Sequence, residues 1–174
     1  MRIFIAVELP ERIKEKLKEV QKEFIRDGDI NFSKEYHITL KFLGEISSTK
    51  IDRVKERLKT INFKPFDLHL SKLGVFPDMK FVQVFWVGVG PQSKIKKLHE
   101  RIDSKLMDMF EADRKFIGHV TLGRIKRLRD KDSFLDKIRE IEIEGSFSVK
   151  NFCLIQSELT SSGPIYTILK KYGL

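Results

Sequence analysis

Two short stretches of this chain carry groups that can move protons. His37-Ile38-Thr39-Leu40 and His119-Val120-Thr121-Leu122 repeat one pattern, histidine–aliphatic–threonine–leucine. The chain holds only four histidines. Under ordinary residue usage, two of them opening this pattern by chance has a probability on the order of 10⁻⁵, so the pair reads as one site. Side chains alternate between the faces of a strand. On that rule Ile38 and Leu40 point one way with Tyr36 and Phe42. His37 and Thr39 point the other way with Lys41. Val120 and Leu122 face a core, while His119 and Thr121 face away from it. Two imidazoles suit displacement at phosphorus, which needs a base to activate the attacking group and an acid to protonate the departing oxygen. In-line geometry puts those two events on opposite sides of the phosphate. Thr39 and Thr121 can donate to the non-bridging oxygens. Arg124, five residues past His119, adds a fixed charge and a forked donor set. Lys41 could meet a phosphate or stand at the rim.

The elements that must position these residues follow from periodicity. Arg2 to Glu8 reads as a strand. Pro10 opens a helix whose Ile13, Leu17, Val20 and Phe24 recur at helical spacing, with Gly28 as its stop. Tyr36 to Leu43 is a strand. Thr49 with Asp52 resembles a capping box ahead of a helix carrying Ile51, Val54, Leu58 and Ile61. Phe66 to Ser71 alternates as a half-buried strand. The second half repeats the order. Phe81 to Val89 is a strand, and Pro91 opens a helix with Ile95, Leu98, Ile102, Leu106 and Met109. Lys115 to Gly123 is a strand, and a short helix covers Asp132 to Ile141. Ser146 to Glu158 holds one long strand or two joined ones. Ser161 to Pro164 is a turn, and Ile165 to Leu169 a final strand. Both halves thus carry the histidine pattern on their third element, which points to an internal duplication. The lobes divide near residues 1–78 and 79–174, with strand exchange between them left open. The equivalent strands would then meet between the lobes, where pockets form.

Composition bounds the answer without choosing the reaction. The 174 residues carry 34 Lys and Arg against 25 Asp and Glu, a net +9, which makes nucleic acid the first candidate partner. The same Lys/Glu-rich balance is common in heat-adapted proteins. The single cysteine, Cys153, excludes an internal disulfide and a Cys-based zinc site, and its apolar neighbours make it a core thiol. No apolar run reaches the length of a membrane span, and the early charges at Arg2 and Glu8 are unlike a signal peptide, so a cytoplasmic location is the default expectation. Neither metal nor cofactor is implied by any local ligand cluster. His69 reads as a solvated strand residue and His99 as a structural one.

The sequence resembles the 2H phosphoesterases, and within them the 2′-5′ RNA ligase-like RNA 2′,3′-cyclic phosphodiesterases of archaea and bacteria. The likeness runs through Arg2-Ile3-Phe4-Ile5-Ala6, His37-Ile38-Thr39-Leu40-Lys41-Phe42-Leu43-Gly44, and Phe76-Pro77 before the strand with Trp86. It continues through His119-Val120-Thr121-Leu122-Gly123-Arg124 to Ser157-Glu158-Leu159, Gly163 and Tyr166. The resemblance implies a bilobal α+β fold, with two mainly antiparallel sheets lining a central cleft and helices on the outer faces. It implies that His37 gives a proton to the leaving 3′ oxygen, that His119 accepts one from water, and that the product is a 2′-phosphomonoester. The residues alone are symmetric in the two histidines. Tyr166, in the matching tail, could approach a base or ribose or serve as a core tyrosine. Where the family often has proline before the second histidine, this chain has Gly118, which frees the backbone there. The expected partner is RNA with a 2′,3′-cyclic phosphate end, such as a tRNA fragment, or a small cyclic nucleotide, met by a monomer. Ligation of 2′-5′ RNA at the same site and a non-catalytic RNA-end binding module are the competing readings.

Overall fold

The first strand, β1 (Arg2–Glu8), sorts its side chains as alternation requires. Ile3, Ile5 and Val7 join one large core, whereas Phe4 and Ala6 belong to a second, small cluster with Cys153 and Ile155 on the opposite face. The structure, a computed structural model, describes residues 1–173. After β1 come α1 (Glu11–Lys22), β2 (Gly28–Phe32), β3 (His37–Glu45), α2 (Ser48–Leu58) and β4 (Phe66–Pro77). The second half supplies β5 (Val82–Gly90), α3 (Gln92–Leu106), β6 (His119–Leu128), α4 (Lys131–Glu140), β7 (Ser146–Val149), β8 (Asn151–Thr160) and β9 (Gly163–Gly173). The α+β class is as the sequence suggests. Helix stripes such as Ile13, Leu17 and Val20 of α1 and Ile95, Leu98 and Ile102 of α3 are buried in the large core against one face of the strands. That leaves the other face free to form a site.

All pairings are antiparallel, and the strand order is β7-β4-β5-β6-β3-β1-β8-β9, with β2 pairing β6. The sheet is nearly two. Among the described residues its halves meet only where β3 touches β6, through the single pair Ile38↔Val120. The strands are exchanged between the halves of the sequence: β4 pairs β5, and β8 pairs β1. β2 takes the same edge of β6 further along, from Gly123 to Leu128. A one-pair junction splays the two halves and opens a cleft on the face away from the helices.

Several boundaries differ from the periodicity reading. α1 stops at Lys22, and Gly28 opens β2 instead of ending the helix. Ser47, not Thr49, caps α2, its hydroxyl accepting from the Lys50 amide at 3.2 Å. α3 ends at Leu106, so Met109 lies in the following turn. β6 begins at His119, and the stretch 146–158 is two strands with β8 running on to Thr160.

Candidate active site

The Ile38↔Val120 pair sets the geometry of the site. In an antiparallel pair the flanking residues fall opposite one another, His37 across from Thr121 and Thr39 across from His119. Opposed positions lie roughly 5 Å apart and diagonal ones roughly 7–8 Å. The two histidines are therefore diagonal, with a threonine hydroxyl beside each. All four side chains line one cleft of about 740 Å³, together with Arg124, Phe42 and Tyr166. Of the residues singled out from sequence, only Lys41 is missing from its wall.

Lys41 is a correction, and the reason is a pair of β-bulges. Against β1, Thr39 pairs Ala6 and Lys41 pairs Ile5, so Leu40 is an extra residue with no partner. Against β5, Thr121 pairs Trp86 and Gly123 pairs Phe85, so Leu122 is the extra residue in β6. Each motif thus bulges at its leucine, and alternation reverses beyond it. In β3 the reversal turns Lys41 inward, to 2 % exposure, and brings Phe42 out into the cleft at 63 %. The Lys41 ammonium donates to Asp103 at 2.5 Å and to the Glu111 carbonyl at 2.9 Å, with Asp113 at 3.4 Å. It is a buried structural cation. In β6 the same reversal brings Arg124 to the cleft face, although an offset of five from His119 puts it on the wrong side of a regular strand.

Each imidazole sits between aromatic rings. His37 packs on Phe4 at 4.9 Å and against the edge of Tyr166 at 5.4 Å between centroids. His119 packs against Phe76 at 5.0 Å and Trp86 at 5.7 Å. Trp86 needs room behind it: a Cβ on Gly74 would come within 2.3 Å of the indole ring. Trp86 Nε1 is buried with no hydrogen-bond partner among the described residues. The approach to His119 is fixed by Gln92, whose amide donates to the Gly118 and Val89 carbonyls while its oxygen accepts from the Gly118 N–H. Gly118 is accordingly held and not loose. A Cβ there would meet Ile95 at 2.7 Å, and proline would remove the N–H that Gln92 uses. Among the described residues, no group of three or more His, Cys, Asp and Glu side chains is placed to hold a metal ion. No helix among them is long and apolar enough to cross a membrane.

A family profile described as the 2′-5′ RNA ligase superfamily matches residues 9–160. The chain belongs to the 2′-5′ RNA ligase superfamily. A protein of Methanocaldococcus jannaschii named RNA 2′,3′-cyclic phosphodiesterase is 34 % identical, over 99 % of this chain and all of its own length. One of the same name from Archaeoglobus fulgidus is also 34 % identical, over 99 % of both chains. A solved structure from Thermus thermophilus covers all of this chain and 98 % of its own, with a TM-score of 0.85 at 25 % identity. Escherichia coli LigT complexed with 3′-AMP covers 99 % and 97 %, with a TM-score of 0.75 at 25 % identity.

Within this 2′-5′ RNA ligase superfamily site, burial makes charge on the imidazoles costly. It pushes the pKa of His37 down to about 4, with His119 and then Lys14 adding smaller repulsions. The repulsion between the two histidines follows from the neighbourhood they share. His119 is also lowered by burial, opposed by the hydrogen bond to the Ile117 carbonyl. That bond, 2.7 Å from Nδ1, requires Nδ1 to carry the proton. Neutral His119 therefore presents Nε2 as an acceptor. The Tyr166 phenol is pushed up by burial against the pull of Arg124 and Arg2, so it stays neutral. Cys153, beside Ala6 on the neighbouring strand and clustered with Phe4, is pushed up to about 12, by burial first and Glu8 second, as an inert core thiol. Sequence reasoning did not single out Phe42 for the site, nor Gln92. Trp86 and Phe76 were visible in the motifs without a role.

Proposed function

We propose that this chain hydrolyses 2′,3′-cyclic phosphates at RNA ends to 2′-phosphomonoesters, with His37 as proton donor and His119 as proton acceptor. The observation that carries the reading is the convergence of both histidine–threonine pairs at the one-pair junction of β3 and β6, under Arg124. Water gives a proton to His119 Nε2 as its oxygen bonds to phosphorus. The P–O3′ bond breaks on the far side, and His37 gives its proton to the departing 3′ oxygen. Thr39, Thr121 and Arg124 hold the non-bridging oxygens, where charge gathers. The fixed Nδ1–H of His119 supports its assignment as base, because the free Nε2 lone pair is what a base requires. His37 supports the acid role through its environment. Alone it is neutral at pH 7, and the anionic phosphate supplies the countercharge that draws a proton onto it. Tyr166 and Phe42 offer ring faces or edges to the terminal nucleoside.

The substrate is an RNA end or a small cyclic nucleotide, met by a monomeric protein in the cytoplasm. A cleft of about 740 Å³ is far larger than a water nucleophile needs. That space favours, as a second reading, a 5′-hydroxyl RNA end replacing water, which would give 2′-5′ ligation by the same proton transfers. The test is incubation with a 2′,3′-cyclic mononucleotide and with a cyclic-ended oligonucleotide, with and without a 5′-hydroxyl fragment and EDTA. The expected product is the 2′-phosphomonoester in EDTA as well. His37→Ala and His119→Ala should each slow its formation by roughly 10²- to 10⁴-fold. A 3′-phosphomonoester product, full loss in EDTA, or RNA binding with no turnover would overturn the proposal.

A further inference from the structure

The two bulges at Leu40 and Leu122 are each capped by a buried polar side chain that comes from the opposite half of the sequence. His99 of α3 donates from Nδ1 to the Leu40 carbonyl at 2.8 Å. Gln21 of α1 donates from Nε2 to the Leu122 carbonyl at 2.8 Å, and to the Ser33 carbonyl at 2.9 Å. Among the described residues the buried polar and charged side chains are Gln21, Lys41, His99 and Ser157, so two of the four cap a bulge. A bulge leaves a carbonyl without its ladder partner, and a buried carbonyl must find a donor elsewhere. The Leu122 carbonyl also accepts from the Ser33 backbone amide at 2.9 Å. Both caps are themselves braced. Tyr36 donates to the Gln21 oxygen at 2.5 Å, and the His99 ring stacks on Phe116 at 4.1 Å with Asp113 at 3.8 Å from its Nδ1.

We infer that Gln21 and His99 are positioning residues. By holding the bulges, they decide that the side chain five places after each histidine, Phe42 or Arg124, faces the cleft. The inference rests on the functional reading above for its catalytic consequence, and on geometry alone for its structural one. Regular pairing of β6 would return Gly123 to the cleft face and turn Arg124 away. Regular pairing of β3 would bury Phe42 and bring Lys41 into the site. Gln21 also holds the Ser33 carbonyl, next to Lys34 and Glu35 on the cleft wall, so α1 fixes that wall with the same amide. Losing the His99 donor to the buried Leu40 carbonyl shifts the balance between bulged and regular β3 by roughly 5- to 150-fold. The Leu122 carbonyl keeps the Ser33 amide when Gln21 is removed, so its shift falls at the low end of that range.

The test uses Gln21→Met, which keeps the length and removes the donor, and His99→Leu beside His99→Asn, which keeps a donor near the Nδ1 position. Crystal structures of these variants read the bulges directly. Kinetics on a cyclic-ended oligonucleotide read the consequence. We expect Gln21→Met to lose the Leu122 bulge and to raise KM more than it lowers kcat. Arg124→Ala should cost roughly 10- to 100-fold in kcat/KM in the parent protein but under about 3-fold in the Gln21→Met background, because the two act through one group. His99→Asn should restore the Leu40 bulge that His99→Leu loses. Bulges kept in Gln21→Met and His99→Leu would overturn the inference whatever the kinetics. Bulges lost with Arg124→Ala harmless in the parent would instead overturn the role given to Arg124, and leave the caps standing.

Discussion

The depressed pKa of His37 ties part of the fold's acid sensitivity to one side chain of the cleft. An unfolded histidine titrates near 6.5, and in the fold His37 titrates at about 4 because its surroundings disfavour charge. The unfolded chain therefore binds the proton more tightly. Stability contributed by neutral His37 is complete above pH 6.5, falls as the pH drops from 6.5 to 4, and is gone below that. A displacement of about 2.5 pH units at about 1.36 kcal/mol each makes the loss about 3 kcal/mol. His37→Leu removes the titrating group and should remove that slope. The assay is urea unfolding of both proteins at pH 7.5 and pH 4, followed by circular dichroism. Carboxylates and His119 titrate in both, so the difference of differences isolates His37. We expect the parent to lose about 3 kcal/mol more than the variant over this interval. Equal losses would refute the claim that burial beside His119 holds His37 neutral. Inorganic phosphate added at pH 4.5 should recover part of the loss in the parent only, since an anion in the cleft favours protonated His37.

Two further substitutions probe the frame of the site. Lys41→Met leaves Asp103 and the Glu111 carbonyl without their cation and should cost about 2–4 kcal/mol in urea unfolding, a little under the usual range for breaking a buried pair because Asp103 keeps some water. A cost below 1 kcal/mol would put Lys41 back at the surface. Gly74→Ala drives a methyl into the indole of Trp86, which flanks His119, and should cost about 1–3 kcal/mol while lowering kcat. Unchanged Trp86 fluorescence and unchanged turnover would show that the indole does not support the histidine.

Much of the fold could be read from periodicity because the buried stripes are strong. β1 spans Arg2 to Glu8 as alternation indicates, and the apolar stripes of all four helices are buried. β2 escaped because Gly28-Asp29-Ile30-Asn31-Phe32 has no β-branched run, and only its pairing with β6 makes it a strand. The histidine and threonine positions were legible because the pattern repeats within a short chain. The bulges were not, since neither leucine is a glycine or proline that would mark a break. Their cost was specific: Lys41 was assigned to the cleft by an alternation that ends one residue earlier, and Phe42 to the core by the same step. A hint lay in Arg124, which charge placed in the site at an odd offset from His119. His99, read as structural, is that and more, because its ring nitrogen holds the Leu40 carbonyl.

The central claim is that His37 and His119 serve one phosphate. Imidazole ¹⁵N spectra, recorded while a nucleoside 2′-monophosphate is titrated in, test it most directly. Both rings should respond along a single binding curve, with His37 gaining a proton near neutral pH and His119 Nδ1 keeping its own. Response of one ring alone, or two curves with different affinities, would contradict the account.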